Sequence, residues 1–170
     1  MLFQKNTLRT ILRKARRSRI RELRNELDNI LFLDYDGVIA LDFDMNTCRS
    51  VFDPLCMENV NRLCHEFNLR IVVSSSWRNE NDYQEMLRDN GLAPDIEIIG
   101  KTVELYAPRE DEILDYLKEH IYIDKFIILD DTMFLELKPY HVHTSWQEGG
   151  FNNEKYEEAR QLLLNQKGNH

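Results

Sequence analysis

Two aspartates, a serine run and a further pair of aspartates each close an apolar run in this 170-residue chain. Asp34 and Asp36 follow Ile30, Leu31, Phe32 and Leu33 and precede Gly37; Ser74, Ser75 and Ser76 follow residues 69–73; Asp130 and Asp131 follow residues 126–129. A run that is apolar at every position suits a strand buried on both faces of a parallel sheet, so its acids sit where the strand emerges. In an open α/β sheet that edge is where ligands bind. Taken alone, Asp34-Tyr-Asp36-Gly37 reads either as a metal or phosphoryl site or as an Asp- and Gly-rich turn. Three such ends at one sheet edge converge, and the four carboxylates repel unless a cation lies among them. Oxygen ligands without His or Cys select a hard ion, most naturally Mg²⁺. Serine hydroxyls and a strong base, Arg109 or Lys101, are what a phosphoryl group needs opposite the metal. Spacing and chemistry therefore point to Mg²⁺-dependent phosphoryl chemistry.

The elements that must position these residues follow from periodicity. Helices are expected over 57–67, with Val60, Leu63, Cys64 and Phe67 on one face, over 80–90, stopped by Gly91, over 110–120 and over 153–164. Strands are expected over 30–33, 69–73, 96–99, 126–129 and 140–144. The polar stretch 40–54 lacks clear periodicity and is expected to be a loop or short flap over the first strand end. Alternating strands and helices imply a parallel α/β sheet with right-handed crossovers.

The chain's length fits one domain with a real core, and its hydrophobic share of 42% and charged share of 31% are those of a globular protein. No apolar run reaches membrane-span length and the N-terminus lacks the apolar centre of a secretory signal, so no membrane partner is expected. Cys48, Cys56 and Cys64 form no CxxC pair and read as reduced thiols, which suits a cytoplasmic location. The net charge of −8 is split: residues 1–28 carry nine bases against three acids, leaving −14 on the remainder. Residues 7–27 read as a basic amphipathic helix, with Leu8, Ile11, Leu12 and Ala15 on its apolar stripe. Packing on the acidic body, binding an anionic partner such as nucleic acid, and acting as a transit peptide all fit that composition, in that order.

The motifs resemble those of the haloacid dehalogenase-like (HAD) hydrolase superfamily. Leu31-Phe-Leu-Asp-Tyr-Asp-Gly-Val38 is similar to its first motif, Ile71-Val-Val-Ser74 to its second, and Phe126-Ile-Ile-Leu-Asp-Asp131 to its fourth. Ser74-Ser-Ser-Trp-Arg78 and Arg109-Glu-Asp-Glu-Ile113 resemble a branch linked with RNA-repair polypeptides. The resemblance covers about residues 29–165, every motif falling in order. It implies a Rossmann-like HAD fold over 29–170 and a Mg²⁺-dependent phosphatase. Asp34 would be the nucleophile and Asp36 the general acid and base, its carbonyl also on the metal. Ser74 would bind the phosphoryl oxygens, and Asp130 and Asp131 the metal. An acid at the position of Asp36 is what the superfamily's phosphatases carry. Most relatives place a Lys where Arg109 stands.

Ser75, Arg78 and Lys101 are candidate substrate-binding residues, Lys101 being the alternative to Arg109 in the basic role. Ser75 and Ser76 read equally as caps of the following helix. Arg78 reads equally as an ion-pair partner of Asp36 or Asp131, and Trp77 as a core or lid residue rather than a base-stacking platform. Trp146 and Gly149-Gly150 fall in a late loop that could border the site. Forty residues separate Asp34 from Ser74, and 35 separate Ser74 from Arg109. Neither interval has room for a cap domain. An uncovered site suits a large phosphorylated substrate, such as a nucleic-acid end or a phosphoprotein. The alternative, motivated by Arg109 and the charge split, is a catalytically weak or inactive binding or regulatory module on the same scaffold.

Overall fold

The computed structural model describes residues 28–46, 49–104, 106–120 and 122–166. The helix expected over 7–27 and Cys48 lie outside these residues.

A five-stranded parallel sheet forms the centre, in the order β5-β4-β1-β6-β7. Its strands are β1 (Asp28–Leu33), β4 (Leu69–Val73), β5 (Ile98–Lys101), β6 (Ile123–Asp130) and β7 (His141–His143). The chain steps outward from β1 through β4 to β5, then returns to the other side of β1 as β6 and β7. That reversal places the topological switch beside β1. Period two assigns the faces. Leu31, Leu33, Ile71, Val73, Ile127 and Leu129 join the core shared with helices α1 (Pro54–Phe67) and α4 (Asn153–Asn165). Ile30, Phe32, Val72 and Ile128 pack on the other side with Ile113 of α3 (Arg109–Glu119). Both faces of β1 are thus covered, which explains its unbroken apolar run.

The stretch expected as a loop or flap is a β-hairpin, β2 (Ala40–Asp44) with β3 (Arg49–Phe52), paired antiparallel. Its alternation is short and its alternate positions are aspartates, so propensity hid it. Helix α1 begins three residues earlier than expected because Asp53 caps it, accepting from Cys56 N at 2.9 Å, and Pro54 opens it. The helix expected from residue 80 starts at Tyr83 as α2 (Tyr83–Asp89), since Ser76–Asn79 winds as a 3₁₀ turn. The strand expected over 96–99 lies two residues later as β5, because Ile96 closes a turn onto Ala93. Gly91 does end α2, at φ +99°. Cys56 and Cys64 are buried free thiols on α1, burial pushing both up to about 12. Among the described residues, no helix is long and apolar enough to cross a membrane. Asp34 to Ser74 is spanned by the hairpin, α1 and β4, and Ser74 to Arg109 by the 3₁₀ turn, α2 and β5. Neither interval holds a cap domain.

Candidate active site

The parallel ladder continues one residue past each strand and fixes the site's backbone. Ser74 N donates to Leu33 O at 3.0 Å, Asp34 N to Leu129 O at 3.0 Å and Thr144 N to Asp130 O at 3.2 Å. Ser74, Asp34 and Asp130 therefore stand in a row on adjacent strands, as the converging strand ends led one to expect.

Side-chain oxygens of Asp34, Asp130 and Asp131 all lie within 4.8 Å of one another. Asp34 is 5% exposed and Asp130 fully buried. Burial, then the neighbouring Asp34 charge, pushes Asp130 up to about 7 against the opposing pull of Arg109. The same two causes raise Asp131. Arg109 NH1 stands 3.5 Å from Asp34 Oδ1 and 3.3 Å from Asp130 Oδ2. One guanidinium against three carboxylates leaves excess negative charge, in keeping with the upward direction at both Asp130 and Asp131. An all-oxygen donor set of this kind fits a hard divalent cation such as Mg²⁺. Thr132 N steadies the outer oxygen Oδ1 of Asp130 at 2.8 Å, and His141 Nε2 meets its carbonyl at 3.0 Å.

Asp36 is not one of the three clustered acids, although its charge is among those that raise Asp131. Ser50 Oγ of β3 donates to its Oδ1 at 2.9 Å and Trp77 Nε1 donates to its Oδ2 at 2.8 Å. Gly37 forms the turn at φ +71°, where a Cβ would meet Asp131 Oδ2 at 2.8 Å and Trp146 Cδ1 at 3.0 Å. The glycine is needed both for the backbone angle and for the approach of Asp131. Ser74 is fully buried and its Oγ has no hydrogen-bond partner. A buried hydroxyl without a partner is an exception among buried polar groups, and this one stands on the strand beside Asp34.

The remaining candidates lie around this centre. Ser75 caps the 3₁₀ turn, its Oγ accepting from Trp77 N at 3.3 Å. Arg78 is only 3% exposed: NH1 donates to Ser74 O and Ser75 O at 2.7 and 2.8 Å, and NH2 to Glu112 at 2.7 Å. Its ion-pair partner is Glu112, not Asp36 or Asp131, and its guanidinium holds the serine loop from behind. Lys101 Nζ donates to Arg78 O at 2.7 Å and lies 4.9 Å from the Tyr83 ring centroid. Arg109, not Lys101, is thus the base that meets the acid cluster. It opens α3, where a cation opposes the helix dipole; Glu110, Asp111 and Glu112 follow it there, and Glu112 stands 3.8 Å from its Nε. A cavity of about 710 Å³ lined by Leu117, Ile123 and Tyr140 opens near the start of β6, the sheet edge opposite the acids.

Sequence reasoning did not assign Ser50, Glu112 or Trp146 to this site, and it gave Trp77 no polar role. Glu112 had a signal in its spacing of one helical turn from Arg109, and Trp146 only its place in a late loop that could border the site. Ser50 reaches Asp36 through the hairpin that was read as a loop. A family model described as the HAD domain in Swiss Army Knife RNA repair proteins matches residues 30–155, most of the chain, from β1 into α4. No curated protein matches.

Proposed function

The chain belongs to the family of HAD domains in Swiss Army Knife RNA repair proteins, and from that premise we propose that it is a Mg²⁺-dependent phosphatase acting on phosphorylated RNA ends. The observation that carries this reading is the cluster of Asp34, Asp130 and Asp131 beside a buried, unpartnered Ser74 hydroxyl. Asp34, Asp130 and Asp131 would hold the cation, with the Asp36 carbonyl. When bound, Mg²⁺ supplies the positive charge that lets an anionic nucleophile approach an anionic phosphate. Asp34 attacks phosphorus and the bond to the leaving oxygen breaks, leaving an aspartyl-phosphate. Asp36 gives its proton to that oxygen, then takes one from the water that releases phosphate. Ser74 Oγ donates to a phosphoryl oxygen. Arg109, already against Asp34 and Asp130, offers a guanidinium to the transferring group.

Arg78 and Glu112 act at one remove. Their buried pair at 2.7 Å fixes the carbonyls of Ser74 and Ser75 and backs Arg109. The absent cap favours a large substrate, and the family favours RNA over protein. Phosphate release from an aryl phosphate and from an end-phosphorylated oligoribonucleotide, with Mg²⁺ or with chelator, tests this reading. Asp34→Asn is expected to cost about a thousandfold or more, and chelation to abolish turnover. Equal rates for wild type and Asp34→Asn would overturn it.

A further inference from the structure

Both of the chain's tryptophans flank the turn that carries the proposed nucleophile and acid. Trp77 spends its Nε1 on Asp36. Trp146 has its Cδ1 edge against Gly37, on the side where Asp131 stands, and remains 40% exposed. The loop that bears it is tied to the same turn. Gly150 N closes on Ser145 O at 2.9 Å, and Phe151 N donates to Val38 O at 2.8 Å. Gly150 sits so close that a Cβ there would lie 2.5 Å from Val38 O. The loop carrying Trp146 is therefore held against the turn of Asp34 and Asp36, and the residue is 40% exposed beside an uncapped site.

The surrounding surface has the same character. Tyr106, Met133 and Leu135, in the loops after β5 and β6, are 95%, 69% and 85% exposed at this edge of the sheet. The net charge of −14 on residues 29–170 disfavours a broad basic track for a phosphate backbone on that part of the chain. On such a surface the faces of the bases offer a means of holding a nucleic-acid end, and stacking on an indole is the interaction that does this without sequence preference. A ring held in place beforehand loses little freedom on contact.

We propose that Trp146 is a nucleobase platform, stacking on the unpaired terminal nucleotide whose phosphate enters the acid cluster. This rests on the phosphatase reading for the identity of the phosphate site, but its test does not depend on turnover alone. The first measurement compares kcat/KM for an end-phosphorylated oligoribonucleotide and for the same oligonucleotide with an abasic terminal residue. The wild type is expected to prefer the base-bearing end by about tenfold. Trp146→Ala is expected to lose that preference through KM, and Trp146→Phe to keep most of it. A preference unchanged in Trp146→Ala, or none in the wild type, would overturn the platform.

The second measurement is binding. In Trp77→Phe, Trp146 is the single tryptophan, so its fluorescence reports its own surface. A nucleoside monophosphate is expected to quench it and ribose phosphate to leave it unchanged. Equal responses to the two would contradict the proposal even in an active enzyme. Base-dependent quenching without Asp34-dependent turnover would keep the platform and remove the phosphatase reading.

Discussion

At the scale of single residues, the two acids of the first motif are separated by their neighbours. Asp34 faces Arg109, Asp130 and Asp131, whereas Asp36 is gripped by Ser50 and Trp77 through both carboxylate oxygens. An acid that must deliver a proton to a leaving group gains from a fixed carboxylate plane, because small misplacements cost large factors in rate. Ser50→Ala and Trp77→Phe are therefore expected to slow hydrolysis of an alkyl phosphate about tenfold more than that of an aryl phosphate with a low-pKa leaving group, which needs little protonation. Equal slowing for both leaving groups would assign the two residues to the fold alone. Gly37 makes a second residue-scale prediction. Ala there meets a backbone angle of φ +71° and an Asp131 oxygen at 2.8 Å. Gly37→Ala is expected to cost about 1–3 kcal/mol in denaturant unfolding and to weaken Mg²⁺ binding measured by titration calorimetry.

At the scale of elements, strand ends carried most of what the sequence could tell. The apolar runs 30–33, 71–73 and 126–129 within β1, β4 and β6 marked buried parallel strands, and their polar terminators marked the site edge. That signal is strong because a strand stretch covered on both faces disfavours polar residues until it emerges. The hairpin was not legible: β2 alternates with Asp42 and Asp44, and a short strand pair on the rim needs little apolar sequence. Whatever depends on the hairpin, such as the contact from Ser50 to Asp36, was lost with it. Arg78 was legible as important but not as to its partner, since its pairing with Glu112 bridges 34 residues of chain. The pair ties the 3₁₀ turn after β4 to α3, with both side chains less than 5% exposed. Removing one partner strands a buried charge, so Arg78→Met is expected to cost about 3–5 kcal/mol. Adding Glu112→Leu to Arg78→Met is expected to recover much of that loss. A double variant no more stable than the single one in urea unfolding would contradict this role.

At the scale of the whole molecule, the acid cluster is expected to couple stability to pH and, on the proposed reading, to cation. Asp130 keeps its proton in the folded chain up to about 7, against an ordinary value of 3.8. Between those pH values the folded chain binds more protons than the unfolded one, so Asp130's contribution to stability falls as pH rises through that window. Below both values it contributes no pH dependence. With chelator present, the Tm difference between wild type and Asp130→Asn is expected to shift against the wild type on going from about pH 4 to about pH 7. Mg²⁺ is expected to offset that shift by binding the ionised cluster, and more strongly toward neutral pH. A difference independent of both pH and cation would remove the cluster's role as a metal centre.

The central claim is that Asp34 accepts the phosphoryl group. Acid-quenched turnover of an end-phosphorylated oligoribonucleotide, followed by borohydride reduction and peptide mass spectrometry, reads that step at the residue concerned. Reduction is expected to convert Asp34 to homoserine only when both substrate and Mg²⁺ are supplied, and Asp34→Asn is expected to give no such product. Sustained turnover with Asp34 unreduced, or with the modification on another residue, would contradict it.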